Sequence, residues 1–124
     1  MHCPYCKGRA ELVTGHKVYP HNRKLHHKFF YLCEPCKAYV GCHGTTRKPL
    51  GRLANKELRR AKQEAHKYFD RIWKELPFKR SDAYQWLARR MGLGFDECHI
   101  GMFDVAQCQQ VVRISKIFLN AARK

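Results

Sequence analysis

Cys3-Pro4-Tyr5-Cys6 and Cys33-Glu34-Pro35-Cys36 are two C-x-x-C pairs separated by 26 residues. A two-residue spacer lets both sulfurs of a pair turn onto one ion at about 2.3 Å, and the segment between the pairs can bring the second back to the first. The pattern predicts a four-cysteine zinc ribbon with one structural Zn2+ held by Cys3, Cys6, Cys33 and Cys36. Disulfides or unligated thiols are the alternatives. A closed tetrathiolate site has no open coordination position, so the metal explains how the chain folds and other residues must explain what it does.

The 124 residues suffice for one compact domain or for a small metal module with a helical extension. A ribbon of roughly forty residues seldom buries enough apolar surface to fold without a staple. Zinc supplies one, at about 10–16 kcal/mol of apparent binding energy in small metal-dependent peptides. The 25 Lys and Arg outnumber the 10 Asp and Glu, and the formal net charge of +15 points to a polyanionic partner. Nucleic acid, DNA or RNA, is the first expectation; an anionic membrane surface and an acidic protein are the others. No apolar run reaches the length of a membrane-spanning helix, and Met1-His2-Cys3 enters the metal motif at once, which leaves no room for a signal peptide. The expected setting is a cytosol, where reducing conditions favour metal over disulfides.

The remaining elements follow from pattern. Gly8, after the first pair, is expected to supply a turn, whereas Lys37-Ala38 after the second pair lacks a glycine. Ala10–Tyr19 and Lys28–Leu32 read as strands, the segment Pro20–His27 as the exposed tip of a long hairpin, and Lys37–Cys42 as a short third strand. The loop from Gly41 to Gly51 marks a boundary between a zinc-ribbon module, 1–50, and a helical module, 51–124. Ala54, Leu58, Ala61, Ala65, Tyr68, Phe69, Ile72 and Trp73 recur at helical steps and predict a long amphipathic helix over about 53–76, ended by Pro77. A helical hairpin over about 82–119 follows, with Ser81 as first N-cap, Gly92 as C-terminal stop and Asp104 as second N-cap. The predicted class is α+β.

Candidate anion contacts are Arg23, Lys24 and Lys28 at the hairpin tip, Arg47 and Lys48 in the following loop, and Arg52, Lys56, Arg59, Arg60 and Lys67 along the helix. Phe29, Phe30 and Tyr31 could stack on unpaired bases or pack against the sheet. His26-His27, Cys42-His43 and Cys98-His99 with Cys108 are candidates for extra metal ligands or for plain structural positions. A nuclease of the HNH type would have only His43 with Asn55, or His66 with Asp70, to work with; neither reproduces its pattern.

Cys3–Cys6, Leu25–Lys28, Phe30–His43 and Pro49–Arg59, with Ala83–Ala88, His99–Phe103 and Cys108 in the tail, resemble the small zinc-finger-containing domain proteins of phages and prophages. The resemblance implies a zinc-bound, phage-associated protein of the host cytosol and carries no biochemical role. The combined expectation is a non-enzymatic zinc-ribbon protein that binds nucleic acid. The rival expectation is a phage-encoded protein that binds and modulates a host protein complex, and the third is the nuclease.

Overall fold

Three antiparallel strands, β1 (Glu11–Thr14), β2 (Phe29–Cys33) and β3 (Ala38–Gly41), form a sheet with β2 in the centre, in a computed structural model that describes residues 1–122. Side chains alternate across the pleat, so the register separates two faces. One carries Val13, Phe30, Leu32 and Tyr39; the other carries Tyr31, Cys33, Ala38 and Val40. The second face builds the metal-side core, in which Cys3, Ala10, Cys33, Ala38 and Leu53 are buried, with Tyr31, Cys36 and Val40 against them.

The first face is covered from the hairpin itself, and here the structure departs from the predicted long strand. The strand stops at Thr14, and Gly15–Val18 form a single helical turn, α1. Gly15 donates its N–H to the Lys28 carbonyl at 2.9 Å, and a Cβ at this position would lie 1.7 Å from the Leu25 carbonyl oxygen. Only glycine permits that approach. The turn folds Tyr19 back over the sheet, where its ring lies 5.7 Å from Phe30 and 5.6 Å from Tyr39 and its hydroxyl lies 2.6 Å from that of Tyr39. The tip predicted to be exposed, Pro20–His27, is mostly exposed and is locally folded. It contains a 3-10 turn, Arg23–Leu25, entered through Asn22, whose side chain accepts the Lys24 N–H at 3.2 Å.

The chain divides into two units, Met1–Glu57 and Leu58–Lys124, rather than near residue 50. Pro49 bridges to Cys42 and Ala54 to Tyr39, which carries the ribbon past the loop. Leu53 enters the ribbon core and Ala54 is buried beside Tyr39, so the long helix α2 begins at Lys56 rather than 53 and ends at Glu75, two residues before Pro77.

In the second unit, α2 buries Leu58, Ala65, Phe69 and Ile72. Helix α3 (Arg80–Met91) begins after Lys79, with Ser81 exposed inside its first turn and not at the cap. It ends as predicted at Gly92, whose φ of 70° is left-handed and lets Leu93 donate to the Ala88 carbonyl at 2.9 Å. Helix α4 (Val105–Ala122) has the predicted Asp104 cap: Gln107 N–H donates to Asp104 at 2.8 Å, and Gln107 Oε1 accepts the Asp104 N–H at 3.1 Å, a reciprocal capping box. Between them two 3-10 turns, Phe95–Glu97 and Ile100–Met102, place Ile100 and Phe103 in the core, both at most 2 % exposed. Among the described residues no helix is long and apolar enough to cross a membrane.

Because the Gly15 Cβ would meet backbone and not a flexible side chain, Gly15→Ala is expected to lower the stability of the zinc-loaded protein by about 3 kcal/mol, the upper end of overpacking costs. Urea unfolding with excess zinc checks this, and an unchanged midpoint would refute the close approach.

Candidate metal centre and charged surfaces

The first cysteine pair sits in a loop closed by two short backbone bonds, Cys3 N–H to the Gly8 carbonyl at 2.8 Å and Lys7 N–H to the Cys3 carbonyl at 2.9 Å. The second sits in the turn between β2 and β3, where Lys37 N–H donates to the Glu34 carbonyl at 3.1 Å. The left-handed residue is Lys7 in one loop, with φ of 65°, and Lys37 in the other, with φ of 51°. Both turns are thus built alike, and the missing second glycine is not a defect. Gly8 brings its backbone to the metal site: its N–H donates to Cys6 Sγ at 3.4 Å, and a Cβ there would crowd that sulfur at 3.2 Å.

The register brings the two loops together. Cys33 pairs with Ala38 at the far end of β2, and all four cysteine sulfurs lie within 4.8 Å of one another. Cys6 Sγ and Cys33 Sγ are 3.6 Å apart. That is far beyond a disulfide bond of about 2.05 Å, and close to the separation of about 3.8 Å set by a tetrahedron with 2.3 Å Zn–S bonds. The donor set therefore fits one structural zinc, with Cys3 and Cys33 buried, Cys36 half-buried and Cys6 exposed.

Electrostatics points the same way. At Cys3 burial opposes ionisation, yet the N–H groups of Cys6 and Tyr5 and the thiols of Cys33 and Cys36 outweigh it and leave the thiol at about 7. Its neighbours cannot follow. Sharing with the Cys6 thiol, then burial and the sulfurs of Cys33 and Cys3, push Cys36 up to about 12. At Cys33 the Cys36 N–H favours the thiolate, but burial and the sulfurs of Cys6 and Cys3 raise it. A dication supplies the charge that four adjacent thiolates need.

The described residues contain no other group of three or more such ligands within reach of one another. Cys42, Cys98 and Cys108 are buried cysteines outside this cluster and form no disulfide, and burial pushes the first two up. His43 is exposed in its loop, His26 Nε2 lies 2.9 Å from the Pro20 carbonyl, and His66 lies 3.7 Å from Asp70 one helical turn on. Asp70 also accepts the Trp73 indole N–H at 3.2 Å, and the Asn55 N–H donates to the Tyr5 hydroxyl at 3.2 Å.

The basic residues divide into groups. Since β2 runs from Phe29 to Cys33 and β3 returns to pair Gly41 with Phe30, the loops before β2 and after β3 leave the same end of the sheet, opposite the metal. Arg23, Lys24, Lys28, Arg47 and Lys48 all belong to these loops and are exposed. The aromatic side chains beside them are engaged internally: Phe30 is buried, Tyr31 donates to the Arg47 carbonyl at 2.9 Å, and the Arg47 guanidinium lies 5.8 Å over Phe29. Arg52 is half-buried, with its Nε enclosed and without a hydrogen-bond partner.

On α2, Lys56, Arg60, Lys67 and Lys74 are exposed at steps of four, seven and seven, and so form one stripe opposite the buried face. Arg59 is half-buried, and Lys62 turns inward to donate to the Gly101 carbonyl at 2.7 Å. Arg71 is paired with Glu75. Lys74 completes the stripe one heptad after Lys67.

Residues 1–117 match a family described as a zinc-finger-containing domain, and the chain belongs to that family. Neither the curated proteins nor the solved structures gave a match.

One zinc per chain is expected by native mass spectrometry, and Cys33→Ser is expected to lose it together with the ribbon's amide-exchange protection, because Cys33 joins the metal to the sheet core. Protons compete with zinc for the same sulfurs. Apparent affinity should therefore fall as pH drops, and most steeply below about 7, where Cys3 regains its proton as well, as chelator competition across that range would reveal.

Proposed function

We propose that this protein is a non-enzymatic zinc-ribbon protein that binds nucleic acid through its phosphates, in the phage or prophage setting implied by the sequence resemblance. The observation that carries this reading is the α2 stripe. Arg60, Lys67 and Lys74 stand one above another over about 21 Å of helix, with Lys56 one turn ahead, on the face opposite Leu58, Ala65, Phe69 and Ile72. A row of cations at regular rise suits the repeating charge of a phosphate backbone better than it suits a single anion.

The basic end of the sheet supports the same reading as a second contact region. Its role is phosphate binding and not base stacking, because the aromatics there are engaged internally. The zinc acts structurally by holding the strands from which these loops extend. Nothing in this reading needs an open coordination position, which matches a four-thiolate site.

Each phosphate contact contributes about 0.9 to the slope of log affinity against log salt on B-DNA. Binding of the zinc-loaded protein to double-stranded DNA, single-stranded DNA and RNA across a salt series is expected to be steeply salt-dependent on the preferred polymer. The triple variant Arg60→Ala, Lys67→Ala, Lys74→Ala is expected to flatten the slope by about 3 units on duplex DNA, with zinc content unchanged. A flat salt response of the parent protein, or a slope indifferent to the three substitutions, would remove the stripe from any nucleic-acid role.

A further inference from the structure

The second unit carries an apolar surface that neither the metal centre nor the basic stripe uses. Trp86 of α3 and Phe118 of α4 pack at a tilt of 50° with ring centres 4.7 Å apart, and Phe78, 44 % exposed, lies 6.0 Å from Phe118. The two rings form a ridge with a groove on either side, of about 480 Å³ toward Ile72 and Ala83 and about 450 Å³ toward Ile114 and Ile117. Ile117 is 69 % exposed. Burying such side chains in water-free contact is favourable, so a partner that covers them gains binding free energy.

The rim is charged with one dominant sign. Arg89 borders the first groove, Arg90 and Arg113 border the second, and Asp82 is the single carboxylate among the lining residues. Aromatic anchors flanked by arginine are the composition of protein-recognition hot spots. A second copy of this chain would bring arginine against arginine across such a surface. A nucleic acid would find guanidinium groups for its phosphates, but aliphatic walls where base edges need hydrogen-bond donors and acceptors. A helix with apolar side chains one turn apart can place an anchor in each groove, straddling the ridge, while its carboxylates meet the arginines.

We propose that the paired grooves beside Trp86 and Phe118 are a docking site for an acidic amphipathic helix of a partner protein. The site stands apart from the phosphate-binding reading, since none of its residues belongs to the α2 stripe or to the basic loops.

The test is selection of a random helical-peptide display library against the zinc-loaded full-length protein, with Ile117→Asp as the counter-target. Ile117 is exposed enough for that change to leave the fold intact, which circular dichroism verifies. Enriched peptides are expected to carry apolar residues at i and i+4 or i+7 with Asp or Glu beside them. A representative synthetic peptide should lose about tenfold in affinity on Ile117→Asp and again on Arg89→Glu with Arg113→Glu. The proposal is overturned if no acidic amphipathic sequence is enriched, or if the selected peptides bind Ile117→Asp as well as the parent. A parent dimer that Ile117→Asp dissociates would reassign the surface to a second copy. A single-stranded oligonucleotide whose binding is abolished by Ile117→Asp but spared by the triple substitution in α2 would reassign it to nucleic acid.

Discussion

Four sulfurs held within 4.8 Å of one another are the constraint on which the ribbon depends. The metal-side core has few large apolar side chains: of its five buried residues two are ligands, two are alanines, and Leu53 is the one long aliphatic. Apolar burial of that size, even with Tyr19 packed on Phe30 and Tyr39 across the sheet, does not repay the ordering of more than fifty residues. Metal binding closes the difference, and it does so where the chain is most strained, since each cysteine pair is followed by a lysine in the left-handed region. Centre and sheet are therefore one cooperative structure. Cys33 is a ligand and a strand residue at once, so removing the ion removes the anchor of β2.

The second unit is stabilised differently. Leu58, Phe69, Ile72, Leu87, Ile100, Phe103, Val111 and Leu119 are all at most 6 % exposed and provide a conventional core without metal. Local signals delimit its helices: the proline at 77 and a left-handed glycine at 92 end α2 and α3, and a reciprocal Asp104–Gln107 cap starts α4. With the core resting on these helices, their outer faces are free to diverge chemically. One side of α2 is a row of cations, while the exposed surface of α3 and α4 is aromatic with an arginine rim. A charge of +15 does not by itself separate these two kinds of surface.

Much of this was legible in the sequence because it is encoded over a few residues. The spacing of Cys3, Cys6, Cys33 and Cys36 determined the ligand set and the α+β class. The three- and four-residue apolar repeat determined α2, and Gly92 and Asp104 marked the ends that they occupy in the structure. The tertiary structure alone decided what depends on residues far apart in the chain. The carbonyl of Leu25 ends β1 by admitting only glycine at 15, and Tyr39 draws Ala54 out of the helical repeat. Gly101 turns Lys62 away from the basic face, and the approach of Trp86 to Phe118 makes a groove from two ordinary amphipathic helices. Spacing and capping act through the nearest backbone atoms, whereas burial and the identity of a partner arise only when distant segments meet.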